Sequence, residues 1–541
     1  MASTNGTHVY HNGDSTLPTS LQSSSGFGSP ANVGDLSVIP PADSPGRSRT
    51  LVLCFDGTGD QFDSDNSNIV ELFTMLKKDD RDQQLCYYQA GIGTYTTPEI
   101  ASPLMAKISK TLDEAIAWNL NSHVMDGYEF LMQNYKANDR ICIFGFSRGA
   151  YTARALAGMI HKVGLLPACN HQQIPFAYRM FTDVSELGWK QSNAFKKAFS
   201  VNVKIEFIGV WDTVDSVGLI PRRLPFTTSN TIVRTFRHAV ALDEHRVKFK
   251  ANLWNRPNNK EQKLDGRVPS DTHVVPHDDH LAKSINAKSL KQPNLRAMER
   301  KYSEEQNVPT DIEEVWFSGC HCDVGGGSVE NDTPHTLARI PLRWMVRECF
   351  KTNTGIIFTT SGLRSLGLEP SSLFPVVLPR PGNLSAASTP IRTIPKSPPP
   401  PSIDLVLGSM SEEEHELLDA TAPIFDQLSL AWFWWLLEYI PMRVRYQEAD
   451  NTWTKEWKVN KGEGRHIPKQ RKGVVKVHRS VRMRMEAGGA GKGNRGSEDA
   501  GEEGLIMNAW QRKKDGNGKG EYVPNASFEK ALKLGHVIWV D

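Results

Sequence analysis

Long hydrophobic runs are missing from this chain. The most apolar stretch, Leu428 to Ile440, falls short of the ~20 residues that a bilayer-crossing helix needs. Cysteine is scarce as well: seven in 541 residues, at irregular spacing and odd in number. That excludes a disulfide framework and points to a reducing compartment. Net charge is nearly absent, with 63 Lys and Arg against 61 Asp and Glu, so no global argument leads to nucleic acid or to an acidic partner. Residues Met1 to Ser48 are dominated by Ser, Gly, Pro, Thr and Asn. They lack the apolar core of a signal peptide, so a cytoplasmic location is expected. They also cannot bury enough apolar surface to offset ordering, so residues 1–48 are expected to be a disordered tail. No internal repeat is present.

What is there centres on Ile141 to Ala150, an apolar, strand-like run that passes through Gly145-Phe146-Ser147-Arg148-Gly149 into the helix-like pattern Ala150 to Ile160. A serine at the tip of a sharp strand-to-helix turn sits in a strained backbone conformation, and the close approach of strand and helix leaves room only for small residues on either side. Gly145 and Gly149 meet that need, which makes Ser147 the candidate nucleophile. The helix that follows directs its free N–H groups at a developing oxyanion, with the Arg148 N–H first in line.

Further strands lead to further loops. Thr50 to Phe55 ends in Asp56-Gly57-Thr58-Gly59-Asp60, Leu85 to Gln89 in a glycine loop, Val203 to Trp211 in Asp212-Thr213-Val214-Asp215, and Val315 to Gly319 in Cys320 to Gly327. Apolar residues at Ile116, Leu120, Val124, Tyr128 and Leu131 predict an amphipathic helix over Leu112–Tyr135. Strands alternating with helices imply an α/β fold with a mostly parallel sheet flanked by helices. In such sheets ligands bind beyond the carboxyl ends of the strands, where these loops converge. Gly57 and Thr58 then supply the second oxyanion donor, and Asp56 is a candidate substrate contact.

The hydrolase domain is expected over residues 49–377, with a polar insertion or lid at 255–310. Its histidines His273, His277 and His280 have a spacing that could hold a metal, but their Pro, Asp and Ser neighbours favour a solvated loop. A Pro-rich linker follows at 378–402, with four consecutive prolines from Pro398 to Pro401. Residues 403–541 form a C-terminal extension expected to pack on the hydrolase domain, with a disordered loop at 486–504. Within it, Leu428 to Ile440 is expected to pack on the core; the alternative is a place at a membrane interface or in an acyl pocket. The basic stretch Lys455 to Arg484 is read first as solvated surface, and second as a site of peripheral contact with an anionic membrane.

An activated serine needs a base within hydrogen-bond reach and a carboxylate to orient it. In the α/β-hydrolase order the acid and then the histidine follow the serine. Asp212 and His321 satisfy that order, each just beyond a strand. Asp215 is the rival acid, while Asp323 lies too close to His321 in sequence. His238 and His245 are rival bases, on a segment from Phe236 to Arg246 that reads as a helix.

Taken together, Phe55 to Gly59, Gly145 to Tyr151, Gly209 to Val214, His238 to Arg246 and Gly319 to Gly327 resemble an uncharacterised α/β-hydrolase domain family of fungi and bacteria. That family is related to type VI secretion phospholipase effectors. The resemblance covers roughly residues 50–350 and implies a Ser-Asp-His triad at Ser147, Asp212 and His321, with phospholipase activity in the effector branch. The C-terminal portion looks more like the fungal members, and no membrane-inserting domain of the effector type is evident. The expected activity is hydrolysis of a carboxylic ester, either a small-molecule ester or a phospholipid acyl ester, with no cofactor, no metal and no nucleic acid. The sequence assigns no oligomeric state.

Rival chemistries fail at their key residues. Phe55-Asp56-Gly57-Thr58 is similar to a haloacid dehalogenase strand end, but Cys54 stands where the nucleophilic aspartate belongs. A cysteine phosphatase needs an arginine six residues on, and Cys320 and Cys322 meet Gly326 and Ser328 there. An inert hydrolase-fold interaction protein is the remaining alternative, since fold and motif do not prove turnover.

Overall fold

A computed structural model describes residues 36–41, 47–58, 60–91, 105–214, 223–255, 295–303, 308–382, 384, 410–448, 451–468, 470–471, 473–490 and 522–541, with the backbone alone at 105–119 and 488–490. Asp215, His273, His277 and His280, most of the N-terminal tail, most of the Pro-rich linker and residues 491–504 lie outside these.

Eight strands form one sheet: β1 (Thr50–Phe55), β2 (Gln84–Gln89), β3 (Arg140–Phe146), β4 (Ile205–Trp211), β5 (Val233–Ala241), β6 (Asp311–Phe317), and, after the hairpin strands β7 (Met442–Gln447) and β8 (Trp453–Lys458), β9 (Val475–His478) and β10 (Val537–Val540). Their order is β10-β9-β6-β5-β4-β3-β1-β2, and every neighbouring pair is parallel. The chain runs from β1 outward to β2, returns across β1 to β3, and then proceeds steadily the other way. The direction of winding reverses between β1 and β3, the place where an open parallel sheet forms its crevice.

The strands are near-continuous apolar runs because both faces of the sheet are covered. Alternation within β1 sends Val52 and Cys54 to one core and Leu51, Leu53 and Phe55 to the other. The second core is closed by α1 (Met105–Asn134) and α2 (Ser147–Val163). Leu120, Val124, Tyr128 and Leu131 of α1 are buried there at the three- and four-residue spacing seen in the sequence.

Three sequence expectations are corrected. Residues 236–246 are not a helix: β5 runs to Ala241 and a turn follows. Periodicity alone does not separate a short apolar run of strand from buried helix. The insertion is not irregular throughout, since α3 (Leu295–Lys301) buries Glu299, whose carboxylate accepts the Phe226 N–H at 2.6 Å. Leu428 to Ile440 packs inward only in part: Leu428 is buried and Trp434 meets Phe249, but many of its apolar side chains do not sink into the core. It forms two short helices, α4 (Gln427–Leu430) and α5 (Trp434–Glu438), and Trp432, Phe433, Leu436, Tyr439 and Ile440 are exposed while Glu438 is buried.

The C-terminal extension does more than pack on the sheet. It adds β9 and β10 to the sheet's edge and brings Arg479 to a buried cluster around Glu416 that Arg380 of the linker also joins. Much of the basic stretch is spent internally, with Lys476 on Glu313 and Lys458 on Glu463. All seven cysteines are free thiols. Among the described residues no helix is long and apolar enough to cross a membrane.

Candidate active site

The backbone turns from β3 into α2 at Ser147, whose φ of 57° lies in the left-handed region that a side chain occupies only at a cost. Its neighbours permit the turn. A Cβ on Gly145 would lie 2.5 Å from the Gly149 carbonyl oxygen, and one on Gly149 would collide with the carbonyl oxygens of Phe55 and Asp56. Asp212, the first residue after β4, also has positive φ, 38°. His321 opens a five-residue helix after β6.

These three strand ends bring their side chains into one line. His321 Nε2 lies 2.8 Å from Ser147 Oγ, and His321 Nδ1 lies 2.5 Å from Asp212 Oδ2. All three are buried, Asp212 fully. Burial pushes the imidazole of His321 below its ordinary 6.5, partly offset by the hydrogen bond and charge of Asp212. It is therefore neutral near pH 7, with Nε2 free to accept a proton while Nδ1 donates to the carboxylate. Burial pushes Asp212 upward, but the charge of Arg465 and the His321 hydrogen bond outweigh it and hold the carboxylate well below its usual range.

Several parts of this site were not visible in the sequence. Arg465, from the C-terminal extension, grips Asp212 with two nitrogens at 2.5 and 2.8 Å and is itself buried. It stands 253 residues from its partner, within a basic run that carries no local signal. Glu244 accepts the His321 backbone N–H at 3.3 Å and is paired with Arg246 at 2.8 Å. The His321 ring is held between Phe146 and Phe249, with centroids 4.8 and 4.9 Å away. Phe249 in turn meets Trp434 of α5 edge-on at 5.6 Å, and the Arg246 guanidinium lies over both rings.

The rival bases are committed elsewhere. His238 Nδ1 meets Glu314 Oε1 at 3.0 Å and its Nε2 accepts the Thr213 N–H, so it braces the turn that carries Asp212. His245 bridges Asp426 and the Gly462 carbonyl.

Around the nucleophile, Asp56 does not reach out as a substrate contact would. Its carboxylate accepts Ser67 Oγ at 2.5 Å, Tyr88 Oη at 2.8 Å and the Gly57 N–H at 2.8 Å. It ties the β1 loop to its surroundings, and it takes up the Gly57 N–H expected to serve an oxyanion. Of the other sequence-predicted donors, Arg148 opens α2 beside Ser147, and the Thr58 hydroxyl is buried with no hydrogen-bond partner. Asp60, unnoticed in the sequence, is pushed up to about 8, chiefly by burial and then by Asp56, Asp63 and Asp65, against the pull of Arg148. It is a mostly protonated carboxyl near neutral pH, able to donate a hydrogen bond. No group of three or more His, Cys, Asp or Glu among the described residues is arranged to hold a metal.

Residues 49–348, more than half of the chain, match the family described as T6SS phospholipase effector Tle1-like, catalytic domain. The chain belongs to this Tle1-like family. A yeast relative, the uncharacterized protein YEL023C of Saccharomyces cerevisiae, is 27% identical over 559 aligned positions, covering 84% of this chain and 81% of its own. Two solved structures are similar at lower identity. An uncharacterized protein from Pseudomonas aeruginosa is 16% identical with a TM-score of 0.30, covering 60% of this chain and 49% of its own. The Tle1 effector bound to the VgrG spike of the type 6 secretion system is 17% identical with a TM-score of 0.25, covering 53% of each chain. The chain thus spans about half the length of these solved relatives. The Tle1-like region ends before Arg465, Trp434 and the last two strands of the sheet.

Proposed function

We propose that this protein is a serine hydrolase of carboxylic esters, with lipid and phospholipid acyl esters as its substrate class. The observation that carries the reading is the continuous hydrogen-bonded line from Ser147 through His321 to Asp212 at the carboxyl ends of three strands. In this reading Ser147 Oγ attacks the ester carbonyl as His321 Nε2 takes its proton. Asp212 stabilises the imidazolium without itself being protonated. The Arg148 N–H at the start of α2, with Thr58, faces the oxyanion. His321 then returns the proton to the departing alcohol. An acyl-enzyme on Ser147 remains, which water activated by the same histidine hydrolyses. The lipid substrate rests on membership of a phospholipase effector family and on the apolar residues bordering His321. Seven free thiols support a reducing, cytoplasmic setting. Residues 49–377 with strands β9 and β10 make up the hydrolase domain.

A fluorophosphonate probe tests the chemistry. It should label wild-type protein and leave Ser147→Ala unlabelled, and Ser147→Ala should lose ester turnover by on the order of 10⁶-fold. Equal labelling of the variant, or no adduct on the wild type, would leave an inert hydrolase fold serving as an interaction protein. Hydrolysis confined to short water-soluble esters, with none of phospholipid vesicles, would remove the lipid substrate.

A further inference from the structure

The segment Trp432 to Ile440, with α5 at its centre, buries its one carboxylate and half-buries Trp434, Trp435 and Leu437, while its other apolar side chains lie exposed. Its carboxylate, Glu438, is buried and accepts the Val247 N–H at 2.6 Å, the Gly462 N–H at 3.0 Å and the Asn460 side-chain amide at 2.5 Å. The other apolar side chains of the segment face out: Trp432 is 75% exposed, Leu436 63%, Tyr439 60% and Ile440 50%. The three hydrogen bonds to Glu438 fix this orientation, so the apolar side cannot roll inward without stranding a buried charge. An exposed apolar patch held in place in this way marks a contact surface.

Two further observations say what kind of surface meets it. The β7–β8 hairpin begins two residues beyond Ile440, and its base is joined to α5 through Asn460 and Gly462. Cross-strand pairing puts Arg443 opposite Trp457 and Arg445 opposite Lys455, all four exposed on one face. That face gathers cations: Arg445 and Arg296 both lie over the Trp453 ring, and Lys455 is held below its ordinary value by its slight burial and then by Arg445, Arg443 and Arg296. Trp, Tyr and Leu beside Arg and Lys are the side chains that suit the boundary between acyl chains and anionic headgroups. The patch also adjoins the candidate active site, since Trp434 of α5 packs on Phe249, and Phe249 packs on His321.

We infer that Trp432 to Ile440, rimmed by the cationic face of the β7–β8 hairpin, is the surface by which this protein docks on an anionic lipid bilayer, seating the Phe249 and Trp434 side of the active site at the membrane. The inference deepens the lipid-ester reading and rests on it for its purpose, but docking itself is separable from turnover. The patch is too short to span the bilayer. It inserts its side chains at headgroup depth, and a lipid ester then reaches Ser147 without crossing open water.

The test uses the full-length chain carrying Ser147→Ala, so that binding is read without hydrolysis, and sedimentation with vesicles of phosphatidylcholine with or without phosphatidylserine. Binding is expected to vesicles containing phosphatidylserine, to weaken with phosphatidylcholine alone, and to fall as salt is raised. Trp432→Ala, Leu436→Ala and Tyr439→Ala combined should weaken binding by on the order of 100-fold. Arg443→Glu with Arg445→Glu should remove the preference for phosphatidylserine. All these side chains are exposed, so the variants should melt as the parent does. Failure of the parent to bind either vesicle, or undiminished binding by the folded apolar variant, would overturn the inference. So would a parent dimer in analytical ultracentrifugation that the apolar variant dissociates, which would give the patch to a second copy of the chain. If the fluorophosphonate result went against Ser147 while vesicle binding held, the docking surface would stand and the hydrolase reading would fall.

Discussion

Arg465 changes what the Asp212 carboxylate can do for His321. The Arg465 guanidinium shares the Asp212 carboxylate with His321, so it should leave less of that charge to stabilise an imidazolium. The sign of the resulting pH dependence follows. Activity should rise through an acid limb set by deprotonation of His321, at a pH below the ordinary histidine value of 6.5. Arg465→Gln should move that limb to higher pH, because Asp212 then turns its whole charge toward the imidazole. The same change leaves a buried carboxylate with half its partners, at a cost of about 3–5 kcal/mol in stability. It also loosens the aim of His321, lowering kcat by on the order of 100-fold. Arg465→Lys should recover part of the stability but not the two-pronged grip. A kcat–pH profile beside a thermal melt reads both; an unshifted acid limb in a folded Arg465→Gln protein would show that the arginine merely fills space.

Between elements, the closest tolerance lies where α2 leaves β3. Gly149 abuts the carbonyl oxygens of Phe55 and Asp56, which belong to backbone and cannot swing aside. Gly149→Ala should therefore push the β1 loop away from the nucleophile, lowering stability by about 1–3 kcal/mol and lowering turnover further than the stability loss explains. Thermal melts with soluble-ester kinetics check this, and a variant that melts and turns over like wild type would mean the loop gives way freely. The elbow was legible in the sequence because its constraint is local: small residues at fixed offsets between a strand-like and a helix-like run. The segment from Phe236 to Arg246 was not, because strand and helix compete closely for a short apolar run. In the fold the segment is paired on both sides, with β4 as far as Ala239 and with β6 as far as Ala241.

At the scale of the whole molecule, residues 49–348 carry the family match but do not contain a complete site or a complete sheet. A chain ending at residue 377 would expose the β6 edge that β9 covers. It would also leave Asp212 without Arg465 and Arg380 would be lost with its partners Glu416 and Glu412. Such a truncation should be insoluble or lack a cooperative melt, and should not react with a fluorophosphonate. A soluble, labelled fragment would show the extension to be dispensable.

Strands β1 to β4 and β6, the elbow at Ser147 and the nomination of Asp212 and His321 came from the sequence alone. Each depends on residues within a few positions of one another, and the parallel sheet delivers all its strand ends to one side. What only the tertiary structure decided were the partners from distant segments and the direction side chains face. Arg465 reaches an aspartate 253 residues away, and Asp56 is spent on Ser67 and Tyr88. Trp432, Leu436, Tyr439 and Ile440 face outward while three hydrogen bonds hold Glu438 in. Hydrophobicity read along the chain predicts that such a segment is buried; the cost of stranding a buried carboxylate, visible only once the fold is closed, reverses that prediction.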